Sequence, residues 1–150
     1  MVYILDTNIL IYLIRENQTV VTELANRDVF DSKNITSISI ASVGEILSFA
    51  LQNNWGVQKK ANLEKLISNL SPVPIIKREM LDAYAEIDTY SKGKLSSRPL
   101  PKGLSARTMG KNDLWIAATT HLLKADIITN DNDFDHLDGI YFNVIKIPTV

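Results

Sequence analysis

Short apolar runs alternate along the chain with longer stretches in which apolar residues recur every three or four positions. Runs of the first kind predict strands, and stretches of the second kind predict amphipathic helices. We predict strands at residues 2–5, 35–38, 73–76, 126–129 and 141–147, and helices at residues 8–15, 19–26, 41–52, 57–69, 77–90 and 113–124. Because strands and helices alternate, the expected fold is an α/β sandwich around a mainly parallel sheet.

Length and composition fit a single domain that covers residues 1–150. A chain of 150 residues, 45% of them hydrophobic, buries roughly 68–70% of its unfolded surface, which suffices for a core without cross-links. Cysteine is absent, which excludes disulfides, thiolate zinc sites and cysteine nucleophiles and fits a reducing, cytoplasmic location. No uninterrupted apolar stretch approaches the ~20 residues of a membrane span, so no membrane association is expected.

Charge is distributed unevenly, although the net charge is only −1. Six basic residues and no acid lie between residues 91 and 112, whereas five aspartates and no Lys or Arg lie between residues 126 and 138. A basic segment beside an acidic cluster suits an anionic substrate held near a cation site. A solvated loop explains the basic segment equally well. Its glycines and prolines predict an irregular path, and a long irregular stretch in a compact domain is often functional or mobile.

Acidic residues stand at the ends of several predicted elements. Asp6 ends the first apolar strand, and Asp131 follows the strand at residues 126–129. A carboxylate at that end of a buried parallel strand lies where ligands bind in open α/β sheets. Capping of the next helix is the alternative for Asp6, although Thr7 and Asn8 can provide the same cap.

Glu45 and Asp113 have comparable alternatives within helices. Glu45 fits a capping box with Ser42, unless the helix begins nearer Ser39, in which case Glu45 lies in its second turn. Asp113 suits the positive end of a helix dipole, but Asn112 can cap that helix and leave Asp113 free. Each acid alone has an ordinary structural explanation. Four acids at element ends on one type of sheet edge indicate a shared site.

The sequence fits two familiar types of functional site poorly, namely an EF-hand calcium loop and a pair of catalytic histidines. The aspartates after residue 130 do not form a calcium loop of the EF-hand type, because the glycine position holds His136 and the twelfth position holds Phe142. Acid–base catalysis by paired histidines is poorly provided for, since His121 and His136 are the only histidines. His121 lies about 12 Å along a helix from Asp113 at 1.5 Å per residue, and we expect it to be packed or interfacial.

The acids lie in four stretches, at residues 4–8, 42–46, 112–119 and 128–134, which together span nearly the whole chain. In this order they resemble the PIN domain family, and specifically the ribonuclease toxins of bacterial VapBC toxin–antitoxin pairs. The first and third stretches are the specific ones. The resemblance implies a PIN-like α/β/α sandwich with a parallel sheet, whose four acids converge on Mg²⁺ or Mn²⁺. It also implies endonucleolytic cleavage of RNA, a homodimer, and inhibition by a small cognate VapB-like antitoxin.

The resemblance assigns roles to particular residues. The catalytic, metal-holding carboxylates are Asp6, Glu45, Asp113 and Asp131, and Asp133 is close enough in the chain to assist or replace the last of these. Carboxylates supply the oxygen ligands that Mg²⁺ prefers, and the ion would activate a water and stabilise charge on the phosphate. Candidates for orienting carboxylates or waters are Thr7, Asn8, Asn112 and Thr129. Candidates for binding RNA phosphates are Lys102, Arg107 and Lys111.

Two other functions stay open on the sequence. An Asp-based phosphotransfer domain also carries Asp at strand ends, but haloacid-dehalogenase-like folds need a second Asp two residues on, where this chain has Asn8. A receiver domain would want adjacent acids near the first strand and a strand-end Lys, and neither is evident. The other alternative is a catalytically inactive PIN-like module that binds RNA or a protein partner, although such a module has no evident need for four acids.

Overall fold

Four parallel strands form the centre of the computed structural model, which describes residues 1–150. They are β1 (Val2–Leu5), β2 (Ile35–Ser37), β3 (Asp126–Thr129) and β4 (Val144–Lys146), and their order across the sheet is β2-β1-β3-β4. β1 and β3 are the inner strands and pair directly, with Ile4 opposite Ile127. Since all four strands point the same way, their carboxyl ends share one edge of the sheet.

Six helices cover the two faces of this sheet. They are α1 (Thr7–Ile14), α2 (Gln18–Asn26), α3 (Ile40–Gln52), α4 (Val57–Leu70), α5 (Arg78–Ser91) and α6 (Lys111–Leu122). A single 3₁₀ turn (Asp135–Leu137) lies between β3 and β4. None of the helices is long and apolar enough to cross a membrane.

Alternation of side chains along the inner strands divides the core into two layers. Tyr3 and Leu5 of β1 pack with α1–α4, whereas Ile4 between them packs with α5 and α6. The same alternation holds in β3, where Ile128 faces the first layer and Ile127 faces the second. The predicted α/β/α sandwich with a parallel sheet is therefore confirmed.

The strand predicted at residues 73–76 is wrong. Val73 makes only an isolated bridge with Ser39, just before α3. Prolines stand on both sides of Val73, at Pro72 and Pro74. A proline has no N–H for a strand ladder and its ring fixes φ, so the pairing stops after one residue.

The last strand and the last helix begin at other residues than predicted. Residues 141–143 lie outside β4, because the Asp138 carboxylate accepts a hydrogen bond from Val144 N at 2.8 Å and holds the preceding residues in a turn. Helix α6 begins at Lys111 rather than at residue 113. The stretch 92–110 between α5 and α6 contains no helix or strand, as its glycines and prolines predict.

Two positions, one buried and one exposed, test how the packing supports the fold. Ile46 of α3 is fully buried, whereas Val57 at the start of α4 is 88% exposed. We expect Ile46→Ala to lower the free energy of unfolding by about 2–5 kcal/mol, because the deleted atoms leave a cavity in a close-packed core. Val57→Ala should stay within about 0.5 kcal/mol of the wild type. Chemical denaturation measures both values, and equal losses at the two positions would contradict the packing described.

Candidate active site

An acidic cleft lies at the carboxyl edge of the sheet. It has a volume of about 340 Å³ and receives side chains from the end of β1, from α1, α3 and α6, and from the loop after β3. The residues that line it are Asp6, Thr7, Asn8, Ile11, Glu45, Phe49, Asp113 and Asp131. The four acids that the sequence singles out are far apart in the chain, and the fold brings them together here.

Asp6 both caps α1 and faces the cleft. Its Oδ1 accepts a hydrogen bond from Thr7 N at 2.7 Å, and its Oδ2 accepts one from Thr129 Oγ1 at 2.7 Å. The expectation that Thr7 or Asn8 caps α1 is wrong, because Asp6 itself stands at the N-cap with an extended backbone. Capping and a place in the site are not alternatives, since each carboxylate oxygen keeps a lone pair after one hydrogen bond.

Glu45 lies in the second turn of α3. The helix has its N-cap at Ser39, whose side chain accepts the capping hydrogen bond. This cap excludes the capping box with Ser42, so that explanation of Glu45 is wrong. Instead, Glu45 Oε1 accepts a hydrogen bond from Thr7 Oγ1 at 2.7 Å. The Thr7 hydroxyl therefore orients this carboxylate at the wall of the cleft.

Asp113 lies in the first turn of α6, which has Gly110 as its N-cap and no capping side chain. Asn112 is an exposed residue within the helix and does not cap α6, which was one possibility from the sequence. A β-carbon added at Gly110 would lie 3.0 Å from Asp113 Oδ2. The missing side chain at Gly110 thus leaves room for the Asp113 carboxylate.

The loop after β3 presents Asp131 to the cleft and leaves Asp133 exposed. Asp131 N donates a hydrogen bond to Thr129 Oγ1 at 2.9 Å, and Asp131 Oδ1 accepts one from Asp133 N at 3.1 Å. Thr129 therefore links the Asp6 carboxylate to the backbone of Asp131. The negative charge of Asp133 nevertheless acts on Asp113. Both loop acids contribute to the potential in the cleft, but only Asp131 lines it.

Burial and crowding raise the pKa values of two of these carboxyl groups. Burial raises the pKa of Asp6 to about 6, and the hydrogen bonds from Thr129 and Thr7 oppose that rise. Burial raises the pKa of Asp113 to about 7, and the charges of Asp6 and Asp133 add to that rise. Both pKa values lie above the ordinary 3.8, because burial disfavours the charged form and like charges repel. A cation in the cleft would relieve this repulsion.

Two basic residues hold the loop that carries Asp131. Lys146 of β4 donates a hydrogen bond to Asn132 Oδ1 at 2.8 Å, pairs with Asp135 at 2.9 Å, and also contacts the Asp131 carbonyl. Arg107 donates a hydrogen bond to Asn132 O at 3.2 Å. The sequence patterns did not single out Lys146, because only the pairing of β4 with β3 brings it to this loop.

Only some of the other predicted site residues lie at the cleft. Asn8 lines the cleft, whereas Asn112 does not. Lys102 is exposed in the stretch before α6, and Lys111 is exposed at the first residue of that helix. Of the three predicted RNA-binding residues, Arg107 contacts the loop of Asp131.

Neither histidine lines the cleft. His121 Nδ1 lies 3.0 Å from Tyr141 O, and the two rings pack edge to face with centroids 5.3 Å apart. The prediction that His121 is packed is therefore confirmed. His136 is buried, with its Nε2 2.7 Å from Ser91 Oγ, and burial lowers its pKa to about 4.

Two apolar residues that the sequence patterns did not single out line the cleft, namely Ile11 and Phe49. Ile11 lies four residues after Thr7, and Phe49 lies four residues after Glu45. Residues at this spacing share one face of a helix, so the spacing is a signal for both. The same spacing also predicts core positions in an amphipathic helix, which is why it does not distinguish the two roles.

A larger cavity lies elsewhere, beside α5. Its volume is about 670 Å³, and its lining includes the acids Glu79, Asp82, Glu86 and Asp126. Asp126 begins β3, so this cavity faces the amino ends of the strands. Ligands of open α/β sheets bind beyond the carboxyl ends, and the acids with raised pKa values lie in the smaller cleft. We therefore place the candidate site in that cleft.

One family and several known proteins match this chain. The family model of the PIN domain matches residues 3–140. Ribonuclease VapC2 of Rickettsia felis is 29% identical over 131 residues, which cover 87% of this chain and 87% of that protein.

Solved structures share the fold over almost the whole chain. The crystal structure of VapBC2 from Rickettsia felis, bound to a DNA fragment from their promoter, matches with a TM-score of 0.75 and 23% identity, covering 99% of this chain and 100% of the matching chain. VapBC-1 from nontypeable Haemophilus influenzae matches with a TM-score of 0.71 and 22% identity, covering 97% and 98%. At these identities the likeness establishes the fold. Since the family match extends over residues 3–140, the chain belongs to the PIN domain family.

Proposed function

We propose that this PIN domain is an endoribonuclease that depends on Mg²⁺ or Mn²⁺, and that it is the toxin of a type II toxin–antitoxin pair. The observation that carries the proposal is the meeting of four acids in one cleft: Asp6, Glu45, Asp113 and Asp131. The name of the relative Ribonuclease VapC2 supports RNA as the substrate. A phosphotransfer domain is less well supported, because the family match is to the PIN domain.

The cleft suits a divalent cation that keeps part of its water shell. No group of three His, Cys, Asp or Glu side chains is arranged closely enough to hold a metal ion by itself. Mg²⁺ commonly retains several waters and binds through one or two carboxylates, and a cleft of about 340 Å³ has room for them. The candidate ligands are all carboxylates, and burial, with a smaller effect of the neighbouring acids, raises the pKa values of Asp6 and Asp113. The residues present therefore fit Mg²⁺ or Mn²⁺ held partly through water.

A bound ion of this kind supplies an activated water and stabilises charge on the phosphate and on the leaving oxygen. The residues of the chain fix the geometry around it. The Thr129 hydroxyl orients the Asp6 carboxylate, and the Thr7 hydroxyl orients that of Glu45. Carboxylates held in this way need not reorient when the substrate phosphate arrives, which is the usual role of such supporting hydrogen bonds.

Basic residues near the cleft provide contacts for the RNA backbone. We propose that Arg107, which contacts the loop of Asp131, and Lys111, at the start of α6, bind phosphates of the RNA backbone. Lys102 extends the same basic stretch. Contacts of this type position the nucleic acid but carry no sequence information.

We also propose a homodimer and a small VapB-like antitoxin as protein partners. The similar structures are VapBC complexes, which supports an antitoxin. Ile40, Leu47 and Leu51 of α3 are large apolar side chains exposed to solvent. Exposed apolar residues grouped on one helix are typical of a protein interface, which supports an assembly through α3.

Substitution of Asp113 tests the nuclease. We expect Asp113→Asn to lower RNA cleavage in Mg²⁺ or Mn²⁺ by more than about 100-fold, because a neutral amide cannot replace the charged oxygen of a metal ligand. Asp82→Asn, on the exposed surface of α5, is the matched control and should keep full activity. EDTA should stop cleavage by the wild type. Intact RNA under every metal condition, with folded protein, would overturn the nuclease and favour the inactive module.

Stability of the metal-free protein should depend on pH through Asp113. Its pKa is raised from 3.8 to about 7 in the fold, so the native state binds more protons than the unfolded chain between these pH values. The free energy of unfolding therefore falls as pH rises through this window. In EDTA, we expect Asp113→Asn to raise Tm relative to the wild type at about pH 8 and to have little effect at about pH 4. Thermal scans at both pH values measure this difference.

Added metal provides the control for the same scans. A ligand at 100 times its Kd stabilises the native state by about 2.7 kcal/mol, which corresponds to roughly 5–10 °C in Tm for a domain of this size. The wild type should show this rise with Mn²⁺ at about pH 8, and Asp113→Asn should show most of it lost. An effect of Asp113→Asn that is the same at both pH values and in both metal conditions would contradict a crowded acidic site.

Asp131 and Asp133 can be separated by paired substitutions. Asp131 lines the cleft and Asp133 is exposed. We expect Asp131→Asn to lower cleavage by about 10- to 100-fold or more, and Asp133→Asn to lower it by less than about 10-fold. Cleavage rates of the two variants at one Mn²⁺ concentration measure the difference, and the reverse order would make Asp133 the fourth acid.

A further inference from the structure

A groove between α1 and α3 leads away from the four acids. Thr7, Ile11 and Arg15 follow one another at steps of four residues along α1 and just past its end, and Glu45 and Phe49 have the same step in α3. Residues four apart stand one above the other on a helix. Each helix therefore presents one continuous row of side chains to the groove.

Contacts at both ends of the groove show that the two rows run side by side in the same direction. At the acidic end, Thr7 Oγ1 donates a hydrogen bond to Glu45 Oε1 at 2.7 Å. At the other end, the guanidinium carbon of Arg15 lies 5.5 Å from the centre of the Phe49 ring. Along α1 the two contacts are eight residues apart, about 12 Å at 1.5 Å per residue, whereas along α3 they are four residues apart, about 6 Å. The groove thus changes from acidic to apolar to basic over this short distance.

The apolar part of the groove belongs to the same cleft as the acids. Ile11 and Phe49 line one cavity together with Asp6, Glu45 and Asp113. Phe49 is held from the protein side by Trp55, whose ring meets it edge to face with centroids 5.8 Å apart. Phe49 is half-buried and also has the Arg15 guanidinium beside its ring, so the part of the ring that lines the cleft is the surface it offers to a ligand.

The chemistry of this gradient matches a nucleotide that adjoins the cleaved bond. A phosphodiester and its cation interact with the carboxylates and gain nothing from Ile11 or Phe49. A nucleobase does gain from an aromatic and an aliphatic side chain, because every base has an apolar face. The next phosphate along the strand would then meet the exposed, positively charged Arg15.

We propose that Ile11 and Phe49 form a subsite for the base of an unpaired nucleotide beside the cleaved bond, and that Arg15 binds the phosphate on its far side. The proposal rests on the ribonuclease function proposed above. The base must be unpaired to contact Ile11 and Phe49, because bases within an A-form duplex are stacked on their neighbours.

The test uses a single-stranded RNA oligonucleotide that the wild type cuts at one mapped bond. Phe49→Leu keeps an apolar side chain against Trp55 and removes the ring, so it should raise KM by about 5- to 20-fold with kcat almost unchanged. Phe30→Leu, an aromatic residue that is 53% exposed outside the cleft, is the matched control and should leave KM unchanged. The wild type should also cut the same oligonucleotide much more slowly when it is annealed to its complement.

Oligonucleotides with one abasic position link the effect to a particular base. For the wild type, removal of the base that contacts Phe49 should raise KM as much as the substitution Phe49→Leu does. For the Phe49→Leu variant, removal of the same base should raise KM no further. The abasic position that shows this non-additivity identifies the nucleotide in the subsite. Strictly multiplicative losses at every position flanking the cut would overturn the proposal.

Arg15 provides a second variant that does not touch the core. Arg15→Gln should reduce the slope of log affinity against log salt by about 0.7, the value for one phosphate of a single strand. Arg27→Gln on the far end of α2, where the arginine pairs with Glu23, should leave the slope unchanged.

The outcomes separate this proposal from the function on which it rests. If the wild type cuts RNA but Phe49→Leu and Arg15→Gln behave as wild type, the subsite is wrong and the nuclease stands. If these two variants keep their RNA kinetics but bind a cognate antitoxin more weakly, then Phe49 and Arg15 contact a protein partner instead of RNA, and the subsite is again overturned. If the wild type cuts no RNA, both proposals fail.

Discussion

The hydrogen bond from Thr129 Oγ1 to Asp6 Oδ2, at 2.7 Å, joins the carboxyl ends of the two inner strands. It forms because β1 and β3 pair in parallel, and because Asp6 N extends that pairing by donating to Ile128 O at 3.0 Å. The same Thr129 oxygen accepts a hydrogen bond from Asp131 N. Glu45 and Asp113 approach from helices in the two opposite layers, so the four acids meet only where this central strand pair places the first of them.

The site works against the stability of the fold that carries it. Two carboxyl groups have raised pKa values because they are buried among other acids, and a charged group is unfavourable in such surroundings. The inner strands offset this cost, since Ile4 and Leu5 are fully buried on opposite faces of the sheet. Electrostatic destabilisation of this kind is common at sites that bind a ligand of opposite charge.

Much of the fold follows from periodicity, but the details of the site do not. The apolar runs at the two inner strands predict them correctly, and the acids that end them are correctly expected at one edge. The N-cap of α1 was harder to predict, because Asp6, Thr7 and Asn8 are all good capping residues and only the backbone angles in the structure identify Asp6 as the cap. Phe49 was missed because its spacing fits a core position equally well. Lys146 was missed because its contacts depend on the register of β4 against β3.

Mn²⁺ titration followed by NMR tests most directly whether the four acids form one cation site. Paramagnetic Mn²⁺ at less than one equivalent should first broaden, and broaden together, the amide signals in the segments around Asp6, Glu45, Asp113 and Asp131. Asp6→Asn should weaken this broadening in all four segments, because one site links them. Broadening centred on the acids of the other cavity, at Glu79, Asp82 and Glu86, or spread evenly over the surface, would contradict a metal site at the carboxyl edge of the sheet.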